Sequence, residues 1–191
     1  MIAGIDYGSK MVGTTVIAFE QDGCIELISS KKNQDADQMI LDFVAEYKPE
    51  LIGLDAPLSL PGVYTDIDGC SDYFYRACDR EVSAMSPMFL GGLTARAMKL
   101  NSLLKDKTQL IEVYPAMVAK TLNLAEFKYK KKEAGYSKMY RKLEGWLDQN
   151  YEFELESSHQ FDAILALYIS KRFDADEASF VGKEEEGFIY Y

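Results

Sequence analysis

The residue pattern predicts an α/β protein, a mixed β-sheet flanked by helices. Three observations point there. Residues 1–29 hold three short β-rich runs joined by tight turns. A helical stretch then leads into an uninterrupted apolar run, and a strongly apolar helix follows near the end of the chain.

The elements follow in order. Met1 to Tyr7, Met11 to Phe19 and Cys24 to Ser29 read as consecutive strands of an antiparallel meander. Their turns are Gly8-Ser9-Lys10 and Gln21-Asp22-Gly23. Asp35 to Tyr47 carries Met39, Ile40, Phe43 and Val44 at helical spacing and stops at Lys48-Pro49. Leu51 to Leu54 suits a strand covered on both faces and parallel to the first. A loop rich in Pro, Gly and Asp runs from Pro57 to Asp72. Helices are expected over Tyr73 to Val82 and, after a Gly91-Gly92 break, Leu93 to Leu104, so that a helical insertion follows the fourth strand. Leu110 to Tyr114 is a further strand ended by Pro115, Ala116 to Leu122 is helical, and Ser137 to Asn150 is an amphipathic helix. Ser157 with Gln160 resembles a capping box before a helix running to about Phe173. Gly187 to Tyr191 reads as a short edge strand.

Composition narrows the function classes. The 191 residues fit one domain, and 31 acidic against 21 basic side chains give a formal charge of -10. General attraction to phosphate backbones or anionic lipid is therefore not expected. The three cysteines form no CxxC pair, which excludes a disulfide framework and a structural zinc site. The start, MIAGIDYG, has no basic or long apolar leader, and no stretch has the length and apolarity of a membrane span, so the cytoplasm is the expected location.

The charge is uneven. Residues 1–143 carry 19 acids and 18 bases, whereas residues 144–191 carry 12 acids and 3 bases, so the body is nearly neutral. Within it Lys128, Lys130, Lys131, Lys132, Lys138, Arg141 and Lys142 crowd together with Tyr129, Tyr136 and Tyr140 between them. Such a segment can follow a nucleic-acid strand, or it is the solvated face of a lysine-rich helix or loop.

Two acids stand at the ends of runs built to be buried: Asp6 after Ile2-Ala3-Gly4-Ile5, and Asp55 after Leu51-Ile52-Gly53-Leu54. An unpaired carboxylate there is costly. Ligands of open α/β sheets bind beyond the carboxyl ends of the strands, so two parallel strands ending in Asp bring both acids to one crevice. Oxygen ligands of this kind suit Mg²⁺ or Mn²⁺ acting on a phosphoryl group; the bland alternative is that each Asp caps a turn or a helix. Glu112 interrupts Leu110-Ile111 and Val113-Tyr114 and either joins the cluster or faces solvent. Asp162 stands in an apolar helix start, where it could merely complement the helix dipole. His159, the single histidine, lies three residues earlier on the same helical face, either in the site or as a surface or capping residue.

An ordered set of segments then resembles a known family. Gly4-Ile5-Asp6-Tyr7-Gly8, Leu54-Asp55-Ala56-Pro57-Leu58, Tyr75-Arg76-Ala77-Cys78-Asp79-Arg80, Ile111-Glu112-Val113-Tyr114-Pro115, Phe161-Asp162-Ala163 and Glu186-Gly187-Phe188-Ile189 are similar to the domain-of-unknown-function family 429, predicted nucleases with a ribonuclease-H-like fold. The resemblance implies a sheet whose first three strands are antiparallel. It also implies a metal site assembled from Asp6, Asp55 and Asp162, with Glu112 as a neighbour. His159 takes the place where related junction-resolving nucleases carry a second acid or a histidine, which makes it a candidate ligand or proton carrier. Arg76 and Arg80, in a segment resembling the family's signature, are candidates for gripping phosphate, or members of an Arg/Asp surface network. Lys10, in the hairpin GIDYGSK, joins them as a substrate-binding candidate.

The leading expectation is a Mg²⁺- or Mn²⁺-dependent nuclease or phosphodiester hydrolase, its partner a nucleic acid or small phosphodiester. A noncatalytic module binding nucleic acid or protein on the same fold is the alternative. An actin-like ATP-binding protein is a third, although that architecture normally needs two such domains.

Overall fold

Five strands build the main sheet of the computed structural model, which describes residues 1–131, 133–143, 145–147 and 155–191. In chain order the elements are β1 (Ile2–Asp6), β2 (Val16–Gln21), β3 (Cys24–Ser29), α1 (Ala36–Tyr47) and β4 (Leu51–Asp55). Next come α2 (Ala77–Val82), α3 (Pro87–Leu90), α4 (Gly92–Leu104), β5 (Gln109–Glu112), α5 (Pro115–Thr121) and α6 (Tyr136–Tyr140). The chain closes with α7 (Ser158–Asp174), β6 (Phe180–Lys183) and β7 (Gly187–Tyr190). The sheet order is β3-β2-β1-β4-β5: β1 to β3 are antiparallel neighbours, and β1, β4 and β5 are parallel. The expected mixed α/β architecture, with a helical insertion after the fourth strand, is the one observed.

Side-chain alternation along the strands sorts the core into two layers. Ala3, Ile5 and Tyr7 of the first strand region, with Ile52 and Leu54 of β4, pack against α1 and α4. The opposite face meets α7, whose residues from Phe161 to Ser170 are all buried. There β1 and β4 carry glycine. A Cβ at Gly4 would lie 1.9 Å from the backbone N of Leu167, and one at Gly53 2.1 Å from Ser170 Oγ. Gly4 and Gly53 are register partners, so a bare backbone patch two strands wide lets α7 settle onto the sheet.

Several boundaries differ from the expected ones, each for a local reason. The second strand begins at Val16 rather than Met11, because the hydroxyls of Thr14 and Thr15 accept from the N–H groups of Ser9 and Gly8 and hold the preceding residues in a turn. The helix expected from Tyr73 begins at Ala77: the Asp72 carboxylate accepts from the N–H groups of Phe74 and Tyr75 and keeps them in a turn. The capping box before α7 is only half formed, since Ser157 Oγ accepts from Gln160 N–H while Gln160 Oε1 accepts from Glu156 N–H. The helix expected over Ser137 to Asn150 is a short α6 followed by a 3-10 turn at Arg141–Leu143, and Glu144 and residues 148–150 lie outside the described residues, as does Lys132 of the basic segment. The tail strand exists as β7, but it pairs with β6 in a separate hairpin and joins the main sheet's edge through a parallel bridge from Tyr190 to Val113, just beyond β5. No helix of the described residues is long and apolar enough to cross a membrane.

Candidate active site

Asp6 and Asp55 close β1 and β4 as register partners. They stand two residues beyond Gly4 and Gly53, and period-two alternation therefore turns both carboxylates toward the α7 face. The close seating of α7 on the two glycines brings Asp162 to them. The charges of Asp6 and Asp162 reach Asp55, and the charge of Asp6 reaches Asp162. Asp6, Asp55, Glu112 and Lys130 line a cavity of about 390 Å³ with Tyr114 and Met85.

The environments of the three acids differ. No hydrogen bond from a described residue reaches Asp55. Burial, then the charges of Asp6 and Asp162, push its carboxyl well above the usual carboxylate range. Asp162 is almost fully buried, and both its oxygens are engaged: Tyr129 Oη donates to Oδ1, and Lys130 Nζ stands 2.9 Å from Oδ2. Burial raises its pKa while Lys130 and Tyr129 pull it back. On the other side of the site His159 Nδ1 is 2.7 Å from Asp6 Oδ2, and this hydrogen bond raises the imidazole pKa against the effect of burial.

Glu112 neither faces solvent nor stands free. Its two oxygens accept from Arg76 Nη2 at 2.6 Å and Nη1 at 2.7 Å, and Oε2 also accepts from Leu58 N–H at 2.9 Å. Arg76 is fully buried and spends every N–H of its guanidinium inside the protein, on Asp79, Glu112 and Ser59. The expectation that Arg76 grips a substrate phosphate gives way to an internal clasp, because no donor remains. Glu186 extends that clasp by accepting from the N–H groups of Gly62 and Ala77, which hold its carboxyl below the ordinary range despite burial. Together these bonds tie the insertion to the chain just beyond Asp55.

The other basic candidates lie apart from the carboxylates. Arg80 is exposed, pairs with Asp72 at 2.7 Å and stacks on the Tyr75 ring at 3.8 Å. Lys10 pairs with Asp35, the N-cap of α1, at 3.0 Å. No recorded contact among the described residues links either to Asp6, Asp55 or Asp162.

Tyr129 and Lys130 are the site neighbours that sequence reasoning did not place. They lie within the basic, aromatic-interleaved segment, but spacing could not show that one tyrosine and one lysine turn inward onto α7. Arg96 escaped as well: it binds Asp37 through two nitrogens, at 3.0 and 2.6 Å, and covers the Tyr7 ring beside the site.

A family comparison bears on these residues. Residues 85–186, a little over half of the chain, match the family described as "Protein of unknown function (DUF429)". The chain belongs to that family. The matched stretch contains Glu112, Lys130, His159 and Asp162, whereas Asp6 and Asp55 precede it. No curated protein matches the chain.

The donor set is chemically suited to a hard divalent cation: three carboxylates, one of which has no hydrogen-bond partner among the described residues and is repelled by the other two. Among the described residues no group of three or more His, Cys, Asp or Glu side chains is already arranged to hold a metal ion. Asp162 is instead directed to Lys130 and Tyr129.

Proposed function

We propose that the protein is a Mg²⁺- or Mn²⁺-dependent phosphodiester hydrolase, a nuclease on a ribonuclease-H-like frame. The strand order with its antiparallel first three strands, and the helix laid across β1 and β4, support that frame. One observation carries the functional reading: Asp6 and Asp55 end adjacent parallel strands at matched register within electrostatic reach of Asp162, and half-buried Asp55 lines the cavity with no hydrogen-bond partner among the described residues.

In this reading Asp6, Asp55 and Asp162 hold the cation, which when bound polarises a phosphoryl oxygen and activates water for attack. His159 keeps a proton at Nδ1 against Asp6 and fixes that carboxylate's orientation. Tyr129 does the same for Asp162 through its hydroxyl. The Arg76 clasp fixes Glu112, which in turn tethers Leu58 in the segment that follows Asp55. A cavity of about 390 Å³ is the size of one short segment of substrate, and the acidic chain offers no broad basic track for a duplex. Short, structured or single-stranded nucleic acid, or a small phosphodiester, is the substrate class that fits.

A second reading, a noncatalytic binding module, draws on one observation: Asp162 is held by Tyr129 and Lys130 rather than turned to a shared ligand position. Incubating the protein with Mg²⁺ or Mn²⁺ and a chromogenic phosphodiester, single-stranded, hairpin and duplex oligonucleotides separates the two. Hydrolysis that depends on the cation and falls roughly 100-fold or more in Asp6→Asn and Asp55→Asn supports the enzyme. Oligonucleotide binding without cleavage under every cation condition supports the module.

A further inference from the structure

The proposed cation site already contains a cation of its own. Lys130 Nζ lies 2.9 Å from Asp162 Oδ2, and the same side chain lines the cavity that Asp6 and Asp55 line. Its charge also offsets that of Asp55. Lys130 comes from a loop between a 3-10 turn at Leu124–Phe127 and α6, not from a helix or strand. Lys128 and Lys130 there have φ values of +60° and +59°, a left-handed conformation that L side chains rarely adopt. The neighbouring Tyr129 is anchored differently: its ring packs edge-on against Phe161 of α7 and its hydroxyl reaches Asp162. The Lys130 side chain is 49% exposed on a flexible stem, and besides Asp162 its Nζ meets only the face of the Tyr129 ring, at 5.3 Å, among the described residues, so it can swing toward solvent at the loss of that contact.

From this juxtaposition we propose that Lys130 is the built-in counter-ion of the carboxylate cluster: it occupies Asp162 while no divalent cation is bound, is displaced when one binds, and so sets the cation affinity of the site. The proposal rests on the cation-site reading above. Three acids meeting beside a cavity repel one another, and a single ammonium relieves part of that repulsion. A divalent ion relieves more, but it must compete for Asp162. Lys130 is thus a positioning residue whose removal tightens cation binding, the opposite of what loss of a structural contact produces.

The test is a calorimetric Mn²⁺ titration of the full chain as wild type, Lys130→Gln and Lys130→Arg, each checked by circular dichroism. Lys130→Gln is expected to bind Mn²⁺ about tenfold more tightly, with Lys130→Arg close to wild type because it keeps the charge. In chelator Lys130→Gln is expected to melt below wild type, and saturating Mn²⁺ is expected to close that gap. Equal or weaker Mn²⁺ binding by Lys130→Gln overturns the proposal and leaves the cation site standing. Failure of both wild type and Lys130→Gln to bind Mn²⁺ removes the cation site and the proposal with it.

Discussion

Asp55, half-buried at the end of β4, carries its charge beside two other carboxylates. Its carboxyl is driven up by burial and by Asp6 and Asp162, so its folded-state pKa lies above the unfolded value. A raised carboxyl costs stability above its folded pKa, and the cost fades as pH falls through that value. Asp55→Asn removes the repelled charge. In chelator near neutral pH the variant is expected to melt higher than wild type, each 1 kcal/mol appearing as about 2–4 °C in a chain of this size. The difference should shrink in acid, and thermal scans across pH check both parts. His159 has the opposite sign. Its pKa is raised by the Asp6 hydrogen bond, so the stability it contributes is fully present below the unfolded value of about 6.5 and is lost as pH rises through the folded value. Denaturant melts of His159→Asn are expected to show a larger deficit at pH 6 than at pH 9. Asp6 and Asp55 were legible in the sequence because a carboxylate ending an apolar strand is conspicuous. Lys130 and Tyr129 were not, because their inward turn depends on left-handed backbone at Lys128 and Lys130 that no periodicity encodes.

Among the elements, α7 and the two central strands decide whether the acids meet at all. Gly4→Ala would set a Cβ against the backbone of Leu167 and Ala166, where nothing flexible can yield. Overpacking of this kind costs about 1–3 kcal/mol, and because the helix must lift, Mn²⁺ affinity should fall together with stability. Gly23→Ala, at a turn glycine with open space around it but φ of +81°, is the control: some loss of stability from backbone strain and no change in Mn²⁺ affinity. The Arg76 clasp sets the other limit. Arg76→Met leaves Asp79 and Glu112 buried without their cation, at a cost of about 3–5 kcal/mol, read as a lowered denaturation midpoint. The strand runs and α1 could be read from periodicity, and the parallel pairing of β1 with β4 from their matched apolar runs. Short α3 and the β6 strand could not. Pro87–Leu90 is a single turn held by the Ser86 cap, and Phe180–Lys183 becomes a strand only because Gly187–Tyr190 folds back on it. The buried state of Arg76 was equally hidden, since its Asp79 partner is local but its Glu112 partner is 36 residues away.

For the molecule as a whole, the acidic balance shapes what the site can receive. Nine of the ten excess negative charges fall in residues 144–191, and Glu186 among them is structural, clamping the insertion through Gly62 and Ala77. The charge asymmetry was plain in the sequence, whereas this use of Glu186 required the folded contacts. Binding of a duplex is expected to be weak at physiological salt, and a plot of log affinity against log salt should have a slope of small magnitude because the chain is acidic overall. The proposed function requires that three acids, from β1, β4 and α7, hold one cation together. Calorimetric titration of Mn²⁺ into wild type and Asp55→Asn, at pH 6 and pH 8, tests it most directly. Wild type is expected to bind saturably, more weakly at pH 6, where protons compete for the raised carboxyls of Asp55 and Asp162, and Asp55→Asn is expected to show no saturable binding. Absence of binding by wild type, or the same binding isotherm in Asp55→Asn, would contradict it.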